Sequence, residues 1–209
     1  MITLNCPSCG AEVKFQSKSS VFAVCSFCKS SLVREDVDLT NIGKMADLRD
    51  DLTPLQVGTT GIYAGRKFEI AGRLKIGYSD GFWNEWFTVF GDEKVGWLAE
   101  AQGFLGMCFN YPDAQVPSRD KVAPGLEIEL ADQGIFDVED VRDVHCLFSE
   151  GELPLQAAQG RKSTSVDLSG DDRKMATIEY AEKETRLFIG TYEDFDNFHF
   201  KNLRSIDGW

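Results

Sequence analysis

Hydrophobic and polar residues alternate along most of the chain after Gly58, which is the periodicity of β-strands. In the segment RLKIGY, Leu74 and Ile76 fall on one face, and the basic residues between them fall on the other. The segment LEIEL alternates in the same way, and MATIEYAEKETRLFIGTY predicts two strands joined by a charged turn. The pattern therefore predicts an all-β body.

The stretch Gly81–Phe104, GFWNEWFTVFGDEKVGWLAEAQGF, concentrates tryptophans and predicts a hairpin. On a strand, Trp83 and Glu85 share one face and Trp86 lies on the other, with apolar residues on both sides. Such a strand is covered on both faces, as in a barrel or in a sandwich with an extra layer. The turn GDEK then leads into VGWLAE, which returns as the partner strand and places Trp97 beside the first strand.

The body has two halves of similar layout, separated by the polar, proline-containing segment DAQVPSRDKVAPG. Each half contains an apolar strand, a charged turn with Glu-Lys and an apolar return, and TGIYAG is echoed by QGIFDV. We predict two related β-barrel or sandwich-like units within residues 54–209, spanning 54–112 and 122–209. Whether they form one barrel, two barrels or a sandwich stays open. The segment GIFDVEDVRDVHCLF fits either helix or strand, because its valines recur at helical spacing while branched residues favour strands.

The N-terminus contains two C-x2-C pairs separated by fifteen residues, formed by Cys6, Cys9, Cys25 and Cys28. This spacing is typical of tetrahedral zinc sites, because one tight turn can aim both sulfurs of a pair at the same ion. Two disulfides or a redox C-x-x-C are the less favoured alternatives. Four thiolates leave no open position for water, so we predict one structural Zn²⁺ and no catalytic metal.

The segments EVKF and VFAV flank the polar QSKSS and predict a short hairpin that brings the two cysteine pairs together. Residues 1–35 are therefore predicted to form a small rubredoxin-like zinc ribbon. Zinc binding contributes about 10 to 16 kcal/mol in small fingers, enough to fold a unit with almost no core. Residues 36–53 predict a connector with one helical turn around Lys44 to Leu48, followed by the all-β domain from residue 54.

Charge limits the classes of partner. The chain of 209 residues has a formal net charge of -12, and the negative charge lies almost entirely outside the ribbon. An acidic body argues against extensive nucleic-acid contact, because such contact depends on neutralised phosphates. Only the ribbon could contact a nucleic acid. The candidate residues are Lys14, Phe15, Lys18, Phe27 and Lys29. The chain has no apolar run long enough to span a membrane and no apolar signal region, which predicts a cytoplasmic protein.

Candidate catalytic groups are few. His145 and His199 are the only histidines in the sequence, and the adjacent Cys146 would point away from His145 on a strand. We therefore expect no enzymatic activity, and we expect Cys108 and Cys146 to be buried apolar residues.

The tryptophan-rich hairpin provides the remaining candidate, a ligand or partner face formed by Trp83, Glu85, Trp86, Arg73 and Trp97. If RLKIGY pairs with WNEWF, Glu85 either forms an ion pair with Arg73 or lines a small polar cleft with aromatic walls. Such a cleft could stack a ligand or hold a cation.

Several motifs together resemble the bacterial domain-of-unknown-function family 4178 (DUF4178). They are the glycine-rich Gly58–Gly61, FEIAGR at Phe68–Arg73, WNEWF at Trp83–Phe87 and GWLAEAQG at Gly96–Gly103. The similarity runs from about Cys6 to Phe104, with SEGELP near Pro154 as a later match. Members often carry an N-terminal cysteine ribbon. Because the function of the family is unknown, the resemblance does not point to any particular activity. It does suggest a functional association with polyamine-type transferases or membrane-stress proteins.

These observations favour a non-enzymatic cytosolic adaptor in which a zinc ribbon is fused to a β domain that binds another protein. One alternative is a nucleic-acid-binding ribbon. The other is a small-ligand binder or enzyme that uses the region of Trp83 and Glu85.

Overall fold

The computed structural model describes residues 1–45, 53–112 and 115–205. These residues form fifteen strands and three short 3-10 helices. The strands of the first half are β1 Ile2–Asn5, β2 Glu12–Phe15, β3 Phe22–Val24, β4 Ser30–Glu35, β5 Asp38–Lys44, β6 Thr60–Tyr63, β7 Arg66–Tyr78, β8 Gly81–Phe90, β9 Val95–Ala101 and β10 Phe104–Asn110. The second half contains β11 Glu127–Glu129, β12 Ile135–Leu153, β13 Lys162–Ser169, β14 Lys174–Ala181 and β15 Thr185–Glu193. The 3-10 helices span Arg119–Lys121, Ala131–Gln133 and Phe195–Phe198.

Eight of the described strands close into one antiparallel β-barrel. Strands β7 to β10 form a four-stranded meander, and β12 to β15 form a second one. The meanders join where β10 pairs with β15 and where β7 pairs with β12. The prediction of a mostly β fold is confirmed, and the two four-stranded meanders form a single barrel.

The barrel wall is covered on its outer side as well as filled on its inner side. Over β7 to β10, Leu55 and the 3-10 helix Phe195–Phe198 pack against outward-facing residues that include Trp86. Over β12 to β15, the segment from Val122 to Leu130 packs against outward-facing valines and leucines of that meander. The prediction that these strands are covered on both faces is therefore confirmed. Each strand lies between two apolar layers, which explains the apolar residues on both of its faces.

The N-terminal region consists of two short hairpins, each containing one cysteine pair. Strand β1 pairs with β2, and β3 pairs with β4. The predicted hairpin between EVKF and VFAV is wrong, because each strand pairs across its own cysteine turn instead. Strand β5 pairs with β4, so the ribbon sheet continues to Lys44, inside the predicted connector. The predicted helical turn around Lys44 to Leu48 falls largely outside the described residues.

The ribbon packs against one end of the barrel. Strand β3 adds to the end of β12, with Ala23 opposite Glu152 and Phe22 opposite Leu153. The buried Glu152 carboxylate accepts a hydrogen bond of 2.6 Å from the backbone N–H of Gln16. Phe22 and Val33 of the ribbon also belong to the apolar core that fills this end of the barrel. These two ribbon residues therefore contribute to the core of the barrel.

Strand β12 is shared by the ribbon and the barrel, and it crosses β7 very closely. A side chain at Gly72 would meet the carbonyl oxygen of Glu152, and one at Gly151 would meet the carbonyl oxygen of Ala71. Gly151 also has φ +69°, a left-handed conformation that glycine adopts without cost. The glycines permit β12 to bend out of the barrel toward the ribbon. The segment left open between helix and strand is thus a strand from Ile135 onward.

Helices in the described part of the chain are too short to cross a bilayer, and none has the apolar composition that a membrane span requires.

Candidate functional site

The two cysteine turns bring four thiols together. The Sγ atoms of Cys6, Cys9, Cys25 and Cys28 all lie within 4.8 Å of one another. The sulfurs of Cys6 and Cys28 are 3.7 Å apart, as are those of Cys9 and Cys25. Disulfide sulfurs lie about 2.05 Å apart, so these pairs are not disulfides. Ligands bound at about 2.3 Å in a tetrahedron are about 3.8 Å apart, and the cluster fits that arrangement.

The two turns have the same backbone geometry. In the first, the N–H of Gly10 donates to the carbonyl of Cys6, and in the second the N–H of Lys29 donates to the carbonyl of Cys25. Gly10 and Lys29 occupy equivalent positions and both have positive φ, +77° and +59°. The sequence difference at this position therefore leaves the turn unchanged, although lysine carries a conformational cost that glycine does not.

Hydrogen bonds act on two of the thiols in opposite directions, since desolvation and the neighbouring cysteines raise the pKa of Cys9 to about 12 while Ser30 favours the thiolate of Cys28. The Ser30 hydroxyl lies 3.2 Å from the Cys28 sulfur, and its hydrogen bond lowers the pKa of Cys28 to about 6. A thiolate is the form of cysteine that coordinates metal ions. The cluster is compatible with a zinc ribbon.

A second candidate site is the interior of the barrel, which encloses a cavity of about 590 Å³. The cavity reaches the surface at the end opposite the ribbon, where the lining residues Phe82, Gln102 and Phe104 are exposed. This volume lies within the usual range of about 300 to 1,000 Å³ for small-molecule sites.

One side of the cavity is mainly apolar and is contributed largely by the first meander. The rings of Tyr78 and Trp83 lie 5.7 Å apart, and the rings of Trp97 and Phe87 lie 5.3 Å apart. Ala99 also lines the cavity, opposite Glu85 on the neighbouring strand, and its small side chain leaves space in front of Glu85.

The second meander contributes a polar side. Strand β13 directs Ser163, Ser165 and Asp167 into the cavity while Val166 and Leu168 face outward. Arg161 also lines the cavity, and its Nη1 lies 2.7 Å from Oε1 of Glu179. Burial raises the pKa of Asp167, an effect that the charge of Arg142 opposes. The cavity is thus amphipathic, with aromatic and charged walls facing each other.

This polar wall was not predicted from the sequence. The alternation in KSTSVDLS, which places Ser165 and Asp167 on the face opposite to that of Val166 and Leu168, was the available signal. It is easily mistaken for the ordinary pattern in which the polar face meets solvent, because the sequence does not show which face is enclosed.

Glu85 lies on the aromatic side of the cavity. Its Oε1 accepts a hydrogen bond of 3.0 Å from Nε1 of Trp83. Among the described residues, Glu85 has no cationic partner within 4.0 Å and accepts no other hydrogen bond. Burial raises the pKa of Glu85 to about 7, and the nearby carboxylates of Glu179 and Asp167 add to the increase.

Neutralising Glu85 should stabilise the protein at high pH. Because the pKa of Glu85 is raised from 4.5 to about 7, the folded state holds its proton more tightly, and stability falls as the pH rises from about 4.5 to 7. Above pH 7 the variant Glu85→Gln should be more stable than the wild type by up to about 3 kcal/mol, and at pH 4 the difference should vanish. Urea unfolding of both proteins between pH 4 and 8 measures this difference. A variant that is less stable than the wild type at pH 8 would contradict it.

The structure separates the five residues of the predicted ligand or partner face. Trp83, Glu85 and Trp97 line the cavity, whereas Arg73 and Trp86 lie outside it. The suggested ion pair between Glu85 and Arg73 does not form, because the register places Leu74 opposite Glu85 and Arg73 opposite Trp86. Arg73 is one residue away from the position opposite Glu85, so its side chain lies on the other face of the sheet, where Trp86 also lies.

Arg73 and Trp86 instead belong to a buried polar network on the outer face. The guanidinium of Arg73 lies 4.7 Å from the ring centre of Trp86, and its Nη2 donates to Oδ1 of Asn84 at 2.7 Å. The Glu100 carboxylate accepts hydrogen bonds of 2.9 Å from both Asn84 and Trp86. This network explains one of the two polar residues between the first two tryptophans, since Asn84 links Arg73 to Glu100.

The two histidines lie outside the cavity. His145 and His199 are both exposed. Cys108 and Cys146 are buried as predicted, and burial raises the pKa of each thiol.

The barrel region matches a known protein family. The profile described as "Domain of unknown function (DUF4178)" matches residues 56–195. The search of curated proteins and the search of solved structures gave no match. The matched span contains all eight barrel strands and the cavity they enclose, so the similarity extends well beyond Phe104, where the sequence motifs placed its end, and leaves out the ribbon. The chain therefore belongs to the DUF4178 family, with a four-cysteine ribbon in front of the family's domain.

Proposed function

We propose that the barrel binds a small amphipathic molecule, and that it does so without chemical conversion. The observation that supports this proposal is the 590 Å³ cavity, which has one aromatic wall, one polar wall and an opening to solvent. A core selected for stability alone would fill this space, because protein interiors are packed as densely as organic crystals. The alternative in which Trp83 and Glu85 bind a ligand is thus favoured over the adaptor hypothesis.

The residues of the cavity support binding rather than catalysis. A nucleophile would need a base within hydrogen-bond reach. The exposed histidines lie elsewhere, and the raised pKa of the Cys108 thiol disfavours its reactive thiolate form.

We further propose that the four cysteines bind one structural Zn²⁺. Four sulfurs at tetrahedral distances leave no position for a substrate or water, so the ion would have a structural role. The ion would hold together the two hairpins, and through β3 it would fix the ribbon against the barrel.

Filling the cavity tests the proposed binding function. The neutral fluorophore N-phenyl-1-naphthylamine should bind the wild-type protein with a stoichiometry of one, with an increase in its emission. The variant Ala99→Phe places a ring inside the cavity and should weaken dye binding by about ten-fold or more. The matched control Ala158→Phe, at an exposed position outside the cavity, should bind like the wild type. Thermal unfolding of both variants shows whether they fold. Equal dye binding by a folded Ala99→Phe protein would refute the proposal.

The other functional predictions remain untested. The nucleic-acid hypothesis loses part of its support, because Phe15 is buried and Lys18 forms an ion pair with Glu93. The hypothesis of a protein partner retains one supporting observation. Phe27, at the second cysteine turn, is 78% exposed, which is unusual for so large an apolar side chain.

A further inference from the structure

Glu85 has the features of an anchor for a ligand. It is a carboxyl inside the barrel, and within the described residues it is not paired with any cation. A carboxylate withdrawn from water without a compensating charge is costly, and a cationic ligand would supply that charge. The opposite residues on the two flanking strands are Leu74 and Ala99, neither of which can neutralise it.

Each arginine that lines the cavity pairs with a carboxylate other than Glu85, although Nη2 of Arg161 is buried without a hydrogen-bond partner among the described residues. Arg161 pairs with Glu179 at 2.7 Å, and Arg173 pairs with Asp194 at 3.0 Å. Arg142 pairs with Asp140, and its guanidinium also lies 4.5 Å from the ring centre of Tyr78.

The groups that face Glu85 make its surroundings negative. Asp167 from β13 and Glu179 from β14 oppose its ionisation, and Arg161 alone among these neighbours favours it. The Cys108 thiol, from β10, is neutral at physiological pH because burial raises its pKa. An anionic ligand would therefore be repelled from this part of the cavity, and a cation would be attracted.

The aromatic residues around Glu85 also suit a cation. Trp83 lies two residues away on the same face, Tyr78 packs against Trp83, and Trp97 lines the same wall. Aromatic faces attract ammonium groups through their quadrupole, and they also bury the apolar part of an organic molecule.

Building on the proposed binding function, we infer that the ligand is an organic cation with an apolar portion, whose protonated nitrogen pairs with the Glu85 carboxylate among Tyr78, Trp83 and Trp97. The charged nitrogen would replace the missing counter-ion. The polar wall with Ser163, Ser165 and Asp167 would remain for additional donors on the ligand.

Calorimetric titration with three probes of similar shape tests this inference. At pH 8 the full-length, metal-loaded protein should bind the cation 2-phenylethylamine about ten-fold or more tightly than the neutral 2-phenylethanol or the anion 3-phenylpropanoate. Glu85→Gln should remove most of this preference and leave binding of the alcohol unchanged. The control Glu129→Gln, on the exposed face of β11, should behave like the wild type.

The pH dependence provides a second readout. Because the pKa of Glu85 is about 7, lowering the pH from 8 to 5.5 should weaken amine binding by the wild type about ten-fold. Glu85→Gln should show no such decrease. Equal affinities for the amine and the alcohol, or an unchanged amine affinity in Glu85→Gln, would overturn the inference.

Failure of this inference can be told apart from failure of the proposed function. If the neutral dye binds and Ala99→Phe prevents it, while the amine shows no preference, the cavity is a binding site and the assignment of a cation is wrong. If neither the dye nor any of the three probes binds, both proposals fail.

Discussion

Removing the metal from the four-cysteine cluster is expected to unfold the ribbon and to destabilise the barrel with it. Metal binding contributes about 10 to 16 kcal/mol in small zinc units, which have little core of their own. Here the loss should extend further, because Phe22 and Val33 of the ribbon are buried in the core at the end of the barrel. The variant Cys25→Ser should contain no zinc, exchange the amide hydrogens of residues 1–45 rapidly and unfold at a lower temperature.

Elemental analysis and hydrogen exchange measure these effects. The matched control is Cys146→Ala, a buried cysteine outside the cluster, which should retain one zinc per chain. Two results would contradict the expectation: metal-free wild-type protein after purification under reducing conditions, or a Cys25→Ser variant with wild-type protection of the ribbon amides.

Replacing Trp86 by alanine is expected to cost about 3 to 5 kcal/mol of unfolding free energy. Trp86 is 0% exposed, packed between the barrel wall and the outer layer that contains Leu55 and Phe198. Its removal would leave a large space and would also take one hydrogen-bond donor from the buried network around Glu100.

Trp83→Ala is the comparison, because Trp83 is a tryptophan on the same strand with a different environment. Its ring lines the cavity and is only partly buried, so the variant should lose about 1 to 2 kcal/mol. Guanidinium unfolding of both variants gives the two values. If Trp83→Ala proved as destabilising as Trp86→Ala, the cavity would not be open to solvent in solution.

Local sequence patterns predicted the features that depend on local geometry. The cysteine spacing identified the four thiols, because a turn of fixed length aims two sulfurs at one point. The period of two residues correctly separated Trp83 and Glu85 from Trp86. The turn GDEK correctly placed Trp97 beside the first strand of the hairpin, where it lies opposite Phe87.

Features that depend on distant pairing were not predictable from these patterns. Closure of the barrel requires β10 to find β15 and β7 to find β12, and alternation shows only that a strand has two faces. The same limitation produced the wrong hairpin between EVKF and VFAV and the suggested pairing of Glu85 with Arg73. For Glu85 and Arg73, the predicted pairing of β7 with β8 was right, but the register could not be read from the pattern. In the observed register Arg73 lies on the outer face.

Strand β12 spans nineteen residues, lining the cavity with Arg142 and Val144 and holding the ribbon with Glu152 and Leu153. Its length therefore fixes the orientation of the cysteine cluster relative to the cavity. Inserting or deleting one residue between Leu147 and Gly151 would rotate every later side chain to the opposite face and detach Phe22 from its place in the core. A change in the number of residues in that short stretch should therefore disrupt the fold more than a substitution of most side chains within it.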